Sequence, residues 1–330
     1  MKKLTLLSMV MFSQLCFADI GIVSESYLDT ARHRNIEANI FYPTKSGQKE
    51  QTFAENAAFY GIKAVKNGAI KGDKLPIYFL VHGTSGNWRN QSWLARELAN
   101  KGAIVIAANH PGYTSGEASP INVLRMWDQP RDVSFLIDQI LSGKYANAVD
   151  NSNITVIGYS LGGYTAMALS GVAFDILGYE KFCINSQDKS CRYFKDAFPQ
   201  LTKEDRNRIT ANYKDTRVTH SIAITPGYIP AIQATSLAEL NTKTLIVGAE
   251  LDKNVPPKTQ LLPYLQGHMG NIVYREIAQA SHFSFLQNCK PKALSILEKD
   301  EAFVCKELGK KNRKVIHKEL STLIQQWGKM

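Results

Sequence analysis

The sequence predicts an α/β fold with a mostly parallel central sheet flanked by helices. Short apolar runs rich in Ile and Val recur along the chain, helical stretches separate them, and the runs are nearly continuous in apolar character, as strands buried on both faces must be. The clearest strands are residues 77–81, 104–108, 154–157, 221–224 and 244–247. Residues 20–26 and 36–42 read as an antiparallel start to the same sheet, and 272–277 as its last strand. Helical spacing covers 91–101, 130–141 and 161–171, whereas 237–240 is too short to assign. A terminal helix over 314–327 gathers Val315, Leu320, Leu323, Ile324 and Trp327 near one face, the pattern of a helix closing on a sheet.

Two segments do not belong to this alternation. Residues 172–217 are too long for a connecting loop and carry one cysteine pair, so they read as an insertion over the carboxyl edge of the sheet, a lid or substrate wall. Residues 45–74 are polar and read as another possible insertion, with no chemistry visible in them.

The 330 residues are 44% hydrophobic and 21% charged without a biased tract, which is the balance of one large globular domain and not of a disordered chain. Residues 1–18 read as a secretory signal: Lys2 and Lys3 precede an apolar run, and Cys16-Phe17-Ala18 forms a cleavage site that would leave Asp19 first. The apolar run is shorter than the roughly 20 residues that span a bilayer, and Leu15 before Cys16 departs from a lipoprotein signal. The expectation is an exported chain, periplasmic or secreted, whose folded unit is 19–330. Four cysteines then remain, an even number that favours disulfides in an oxidising compartment. Three pairings are possible. The sequence-local one, Cys183 with Cys191 and Cys289 with Cys305, is preferred.

The formal charge is +10, much of it from Lys306, Lys310, Lys311, Arg313, Lys314 and Lys318. A solvated helix face accounts for such a cluster, and weak contact with an anionic membrane surface is the alternative. No motif points to nucleic acid. Oligomeric state is not legible.

The chemistry centres on Gly158-Tyr159-Ser160-Leu161-Gly162-Gly163, a G-x-S-x-G between a strand and a helix. This turn pushes the serine oxygen out of the sheet at a helix N-terminus, where partial positive charge favours an oxyanion. A hydroxyl needs a base, which this arrangement draws from the chain end in the order Ser, acid, His. His282 follows the last strand; His268 precedes it, His317 sits in the terminal helix, and His33 and His220 lie outside the expected loops. The orienting acid should end the penultimate strand, where Asp252 begins an irregular turn and Glu250 is the runner-up. Two backbone donors should hold the oxyanion: the N–H of Leu161 and, from His82-Gly83-Thr84-Ser85-Gly86, that of Thr84. His82 itself reads as a structural brace. Trp88, Trp93, Tyr113, Trp127 and Phe283 are candidates for a pocket lining, with Tyr113 on the expected loop edge.

These residues, with Ile40-Phe41-Tyr42-Pro43, His110-Pro111-Gly112, Arg131-Asp132 and Phe285-Leu286, resemble the α/β-hydrolase superfamily. The resemblance is to its branch of predicted dienelactone hydrolases related to platelet-activating-factor acetylhydrolases. It implies ester hydrolysis through a serine acyl-enzyme, without cofactor or metal, on a short-chain or lipid ester. Ser160 stands where true dienelactone hydrolases carry cysteine, so dienelactone is not the expected substrate. Rival readings are a peptidase or acyltransferase with the same three residues, and a binding protein without activity on this fold.

Overall fold

A computed structural model describes residues 19–186, 188–267, 270–299 and 301–328. The expected signal, 1–18, and His268 lie outside the described residues. Ten strands form one sheet: β1 (Ile20–Asp29), β2 (Arg34–Pro43), β3 (Gln51–Phe53), β4 (Ile62–Lys66), β5 (Leu75–Val81), β6 (Ile104–Ala108), β7 (Val149–Tyr159), β8 (His220–Ile224), β9 (Lys243–Ala249) and β10 (Ile272–Ile277). Their spatial order is β10-β9-β8-β7-β5-β6-β2-β1-β4-β3. The strands from β5 to β10 pair in parallel, and β2 pairs antiparallel with both β1 and β6. The two-residue period of a strand divides β6 between the two faces. Ile104, Ile106 and Ala108 join one core with Ile77, Phe79 and Val81 of β5, while Val105 and Ala107 join the other with Leu80.

Residues 45–74, read as a possible insertion, contribute to the sheet. They contain β3 and β4, and β4 adds to the sheet in parallel beside β1. Lys63 and Lys66 of β4 face solvent while Ile62, Ala64 and Val65 are buried, so this strand near the sheet edge is too polar and too short to show as an apolar run.

The chain turns from β5 to β6 on one side and returns to place β7 on the other. At such a switch point the loops leaving adjacent strand ends diverge and open a crevice. The loop after β5 carries Thr84 and the turn after β7 carries Ser160.

Helices cover both faces. On one, Ser92–Asn100 and Arg313–Trp327 pack Leu94, Leu98, Leu320 and Ile324 on the sheet. In the terminal helix the buried stripe is Ile316, Leu320, Ile324 and Trp327, spaced four, four and three; Val315, one residue off that stripe, is 42% exposed. On the other face lie Asp128–Ser142 and Leu161–Ser170, the latter buried along its whole length. The helix Asp128–Ser142 is pinned at its first turns by charge. Asp132 is fully buried, accepts a forked pair from Arg34 (2.7 and 2.8 Å) and a bond from Arg32 (2.8 Å), and lies 3.1 Å from His110 Nδ1. These partners outweigh burial and hold its carboxyl at about 2.

Residues 172–217 fold as three short helices, Ile176–Asn185, Lys189–Phe194 and Lys203–Ile209, begun by the side chains of Asp175, Asp188 and Thr202. Tyr179, Phe194 and Phe198 interlock in edge-on and tilted contacts, Tyr179 also meets Tyr228 edge-on, and this cluster is continuous with the core that holds Leu161, Met167, Ala223 and Ile246. The disulfide Cys183–Cys191 ties the first two helices, and Cys289–Cys305 closes the loop after His282. This is the sequence-local pairing. Among the described residues no helix is long and apolar enough to cross a membrane.

Candidate active site

Ser160 takes φ 54° between β7 and the helix Leu161–Ser170. A side chain rarely accepts this conformation, and the neighbouring strand holds it: Ser160 N–H donates to Ile224 O (2.9 Å), and Ser160 O accepts from Gly163 N–H (2.8 Å) and Gly227 N–H (3.0 Å). The flanking glycines are required by contact. A Cβ on Gly158 would overlap the Gly162 carbonyl, and one on Gly162 would overlap the Val81 carbonyl.

His282 begins a short turn, His282–Phe285, after β10. Its Nε2 lies 3.1 Å from Ser160 Oγ and its Nδ1 2.7 Å from Asp252 Oδ2. Asp252 is aimed by its own backbone: Oδ1 accepts from the N–H groups of Asn254 (2.7 Å) and Val255 (2.8 Å), leaving Oδ2 for the imidazole. With Nδ1–H directed at the carboxylate, Nε2 is bare and accepts from the serine hydroxyl. Tyr159, next to the serine, donates its hydroxyl to His282 O (2.9 Å) and ties the two loops together. Ser281 N–H donates to Ser284 Oγ (2.9 Å), and Ser284 Oγ donates to Glu307 (2.5 Å), which fixes the turn from below.

The structure therefore brings Ser160, His282 and Asp252 into one chain of contacts. Glu250 is elsewhere, with its carboxylate on Gln279 N–H (2.7 Å). His317 stacks on Trp93 at 3.6 Å, and its Nε2 donates to Leu286 O (2.9 Å). Thr84 and Leu161 both line the cavity above Ser160. Leu161 N–H opens a helix, where no carbonyl lies a turn behind it, and among the described residues Thr84 N–H has no hydrogen-bond partner.

The loop bearing Thr84 is braced by His82. Its Nδ1–H donates to Gly83 O (2.8 Å) and its Nε2 accepts from His110 N–H (3.2 Å). Burial and the neighbouring His110 push its pKa down to about 3, so the ring stays neutral and keeps both bonds. Gln129 adds a bond to His82 O (3.3 Å) and accepts from Thr165 Oγ1 (2.9 Å), joining the loop to both helices beneath it. Sequence reading missed Gln129, which lies in no motif, and the role of Tyr159, which stands at a variable position of G-x-S-x-G.

The cavity has a volume of about 720 Å³. Tyr179, Tyr193 and Phe194 of the inserted helices form one wall, and Phe283, Leu286, Phe303 and Leu308 another. Of the five aromatic candidates only Phe283 lines it. Tyr113 is buried with its hydroxyl on Arg125 O, Trp93 bonds Phe285 O (2.9 Å), and Trp127 lies in the core under Arg125 and Arg208.

A family model described as the alpha/beta hydrolase fold matches residues 77–175, a span that includes Thr84 and Ser160 but ends before Asp252 and His282. The curated proteins contain no match to this chain. Among solved structures, a ferulic acid esterase from Streptomyces cinnamoneus superposes with a TM-score of 0.61 at 14% identity, covering 93% of this chain and 89% of that one. Identity that low speaks for architecture only. With the strand order and the strand-turn-helix at Ser160, it establishes that the chain has the α/β-hydrolase fold.

Proposed function

We propose that this chain is an exported serine hydrolase that cleaves carboxylic esters, short-chain or lipid, through an acyl-enzyme. The observation that carries the proposal is the continuous contact Asp252–His282–Ser160 at the floor of an apolar cavity, with distances of 2.7 and 3.1 Å. Ser160 Oγ attacks the ester carbonyl carbon as His282 Nε2 takes its proton, and the carbonyl electron pair moves to oxygen. The N–H groups of Leu161 and Thr84 receive that oxyanion. Collapse re-forms the carbonyl and expels the alcohol, which takes the proton from His282. Water then enters by the same route and releases the acid. Asp252 holds the imidazole in the tautomer with a bare Nε2, and residues 172–217 act as the wall that shields the acyl-enzyme. The two disulfides support export of the mature unit 19–330. The sequence resemblance supports the branch of predicted dienelactone hydrolases, with an ester other than dienelactone.

The test is hydrolysis of p-nitrophenyl esters from two to sixteen carbons by the mature protein and by Ser160→Ala. The expected result is cleavage by the wild type and a loss of about a thousandfold or more in the variant. Equal rates in both proteins would remove Ser160 as nucleophile, and inertness toward the whole series would leave the ester-hydrolase reading without support.

A further inference from the structure

The mouth of the cavity carries Lys189, Lys253 and Lys306, and among the described residues no Asp or Glu lines it. The carboxylates that touch lining residues are engaged, Asp252 with His282 and Asp188 with the Gln260 amide. The three lysines are exposed, and none makes a side-chain hydrogen bond or ion pair among the described residues. Elsewhere Arg32, Arg34, Arg206, Arg217, Lys290, Lys311 and Arg313 are paired with carboxylates.

Each lysine also stands beside a fixed point of the backbone. Lys189 lies within the Cys183–Cys191 loop and follows Asp188, whose carboxylate caps its helix and accepts from Gln260 across the cavity. Lys253 follows Asp252, in the turn held by the bonds to Asn254 and Val255. Lys306 follows Cys305 of the second disulfide. Three separate segments therefore converge on one opening, and each places its cation next to an anchor. Between the cations lie apolar surfaces: Tyr193 is 39% exposed, and Phe303, 51% exposed, packs on Phe283 at 4.8 Å.

From this we infer that the site selects esters that carry an anionic group, a carboxylate or a phosphate, on the part of the molecule that remains at the cavity mouth. The inference rests on the ester-hydrolase reading and names its substrate class. A neutral ester uses the apolar walls alone. An anionic ester of the same length adds attraction to the three ammonium groups and is steered toward the opening before it binds.

The experiment compares mono-p-nitrophenyl glutarate with p-nitrophenyl pentanoate, esters of equal acyl length that differ in one carboxylate. The expected result is a kcat/KM about tenfold or more in favour of the anion at low salt, a ratio that shrinks as ionic strength shortens the Debye length. In Lys189→Gln/Lys253→Gln/Lys306→Gln the ratio should fall toward one, and in the triple Lys→Glu variant it should invert. Binding of both esters to Ser160→Ala, followed by calorimetry, gives the same comparison without turnover. A phosphate-bearing ester and vesicles of anionic phospholipid then separate a soluble anion from a lipid headgroup. Equal kcat/KM for the glutarate and pentanoate esters, or a preference that survives the lysine substitutions, would overturn the inference while leaving the hydrolase reading intact. If neither ester is turned over the hydrolase reading fails, and calorimetry alone decides: tighter binding of the anion supports the selection, equal binding overturns it.

Discussion

At Ser160 the backbone is bent into a conformation that few side chains tolerate, and the glycines on either side make that bend possible. Gly162→Ala would drive a methyl into the Val81 carbonyl, which is backbone and cannot rotate away. The expected outcome is loss of the folded turn, read as a collapse in soluble yield and in the thermal midpoint. Asp252→Asn tests a different property. Its amide would turn a donor toward Nδ1 and favour the opposite tautomer, with Nε2 protonated and unable to accept from Ser160. A fall in kcat of about 10⁴ on a p-nitrophenyl ester is expected, and a loss of less than tenfold would show that Asp252 does not orient His282.

Among the elements, the helix Asp128–Ser142 is joined to the β1–β2 hairpin chiefly by the buried carboxylate of Asp132, with Asp128 a longer second pair to Arg34. Removing the charge of Asp132 leaves the guanidinium groups of Arg32 and Arg34 without their shared partner in a buried site. Asp132→Ala should therefore cost about 3–5 kcal/mol, measured as a lower urea midpoint. The inserted helices are held by one disulfide and by aromatic packing continuous with the core beneath them. Cys183→Ser/Cys191→Ser should weaken this segment by about 2–3 kcal/mol, the size expected for a short loop. Limited proteolysis should then cut first within 172–217, and kcat/KM should fall because Tyr179, Tyr193 and Phe194 form a wall of the cavity.

The molecule as a whole should be sensitive to acid in a defined window. His82 and His317 both have pKa values pushed down to about 3 by burial, against about 6.5 when unfolded. Between those values the unfolded chain binds protons that the folded chain refuses, so stability is complete above about pH 6.5 and declines as pH falls toward 3. Asp132, held at about 2, adds its loss below the ordinary carboxylate range. Thermal midpoints across pH 3–7 should show a slope of at least two protons. His317→Gln should remove about one of them, and an unchanged slope would show that His317 titrates normally.

The central strands and the turn that carries Ser160 were legible because their signals are local. A strand buried on both faces is a continuous apolar run, and a serine turn packed against a strand needs glycine at fixed offsets. The contact of His282 with that turn and of Asp252 with His282 was also foreseeable from chain order, since each follows the end of a strand. The edge strand β3 and its neighbour β4 were not legible, because both are short and residues facing water interrupt their apolar signal. Tyr113 and Trp127 looked like pocket residues and proved to be core, since an aromatic side chain has the same identity in either place. The sequence by itself determined the alternation of strands and helices, the strained turn at Ser160 and the set of groups available for chemistry. Only the tertiary structure decided that Lys189, Lys253 and Lys306 meet at one opening, that His82 holds a loop through His110, and that Asp132 serves two arginines. Those relations join residues far apart in the chain, and the packing of the sheet and its loops sets the distances between them.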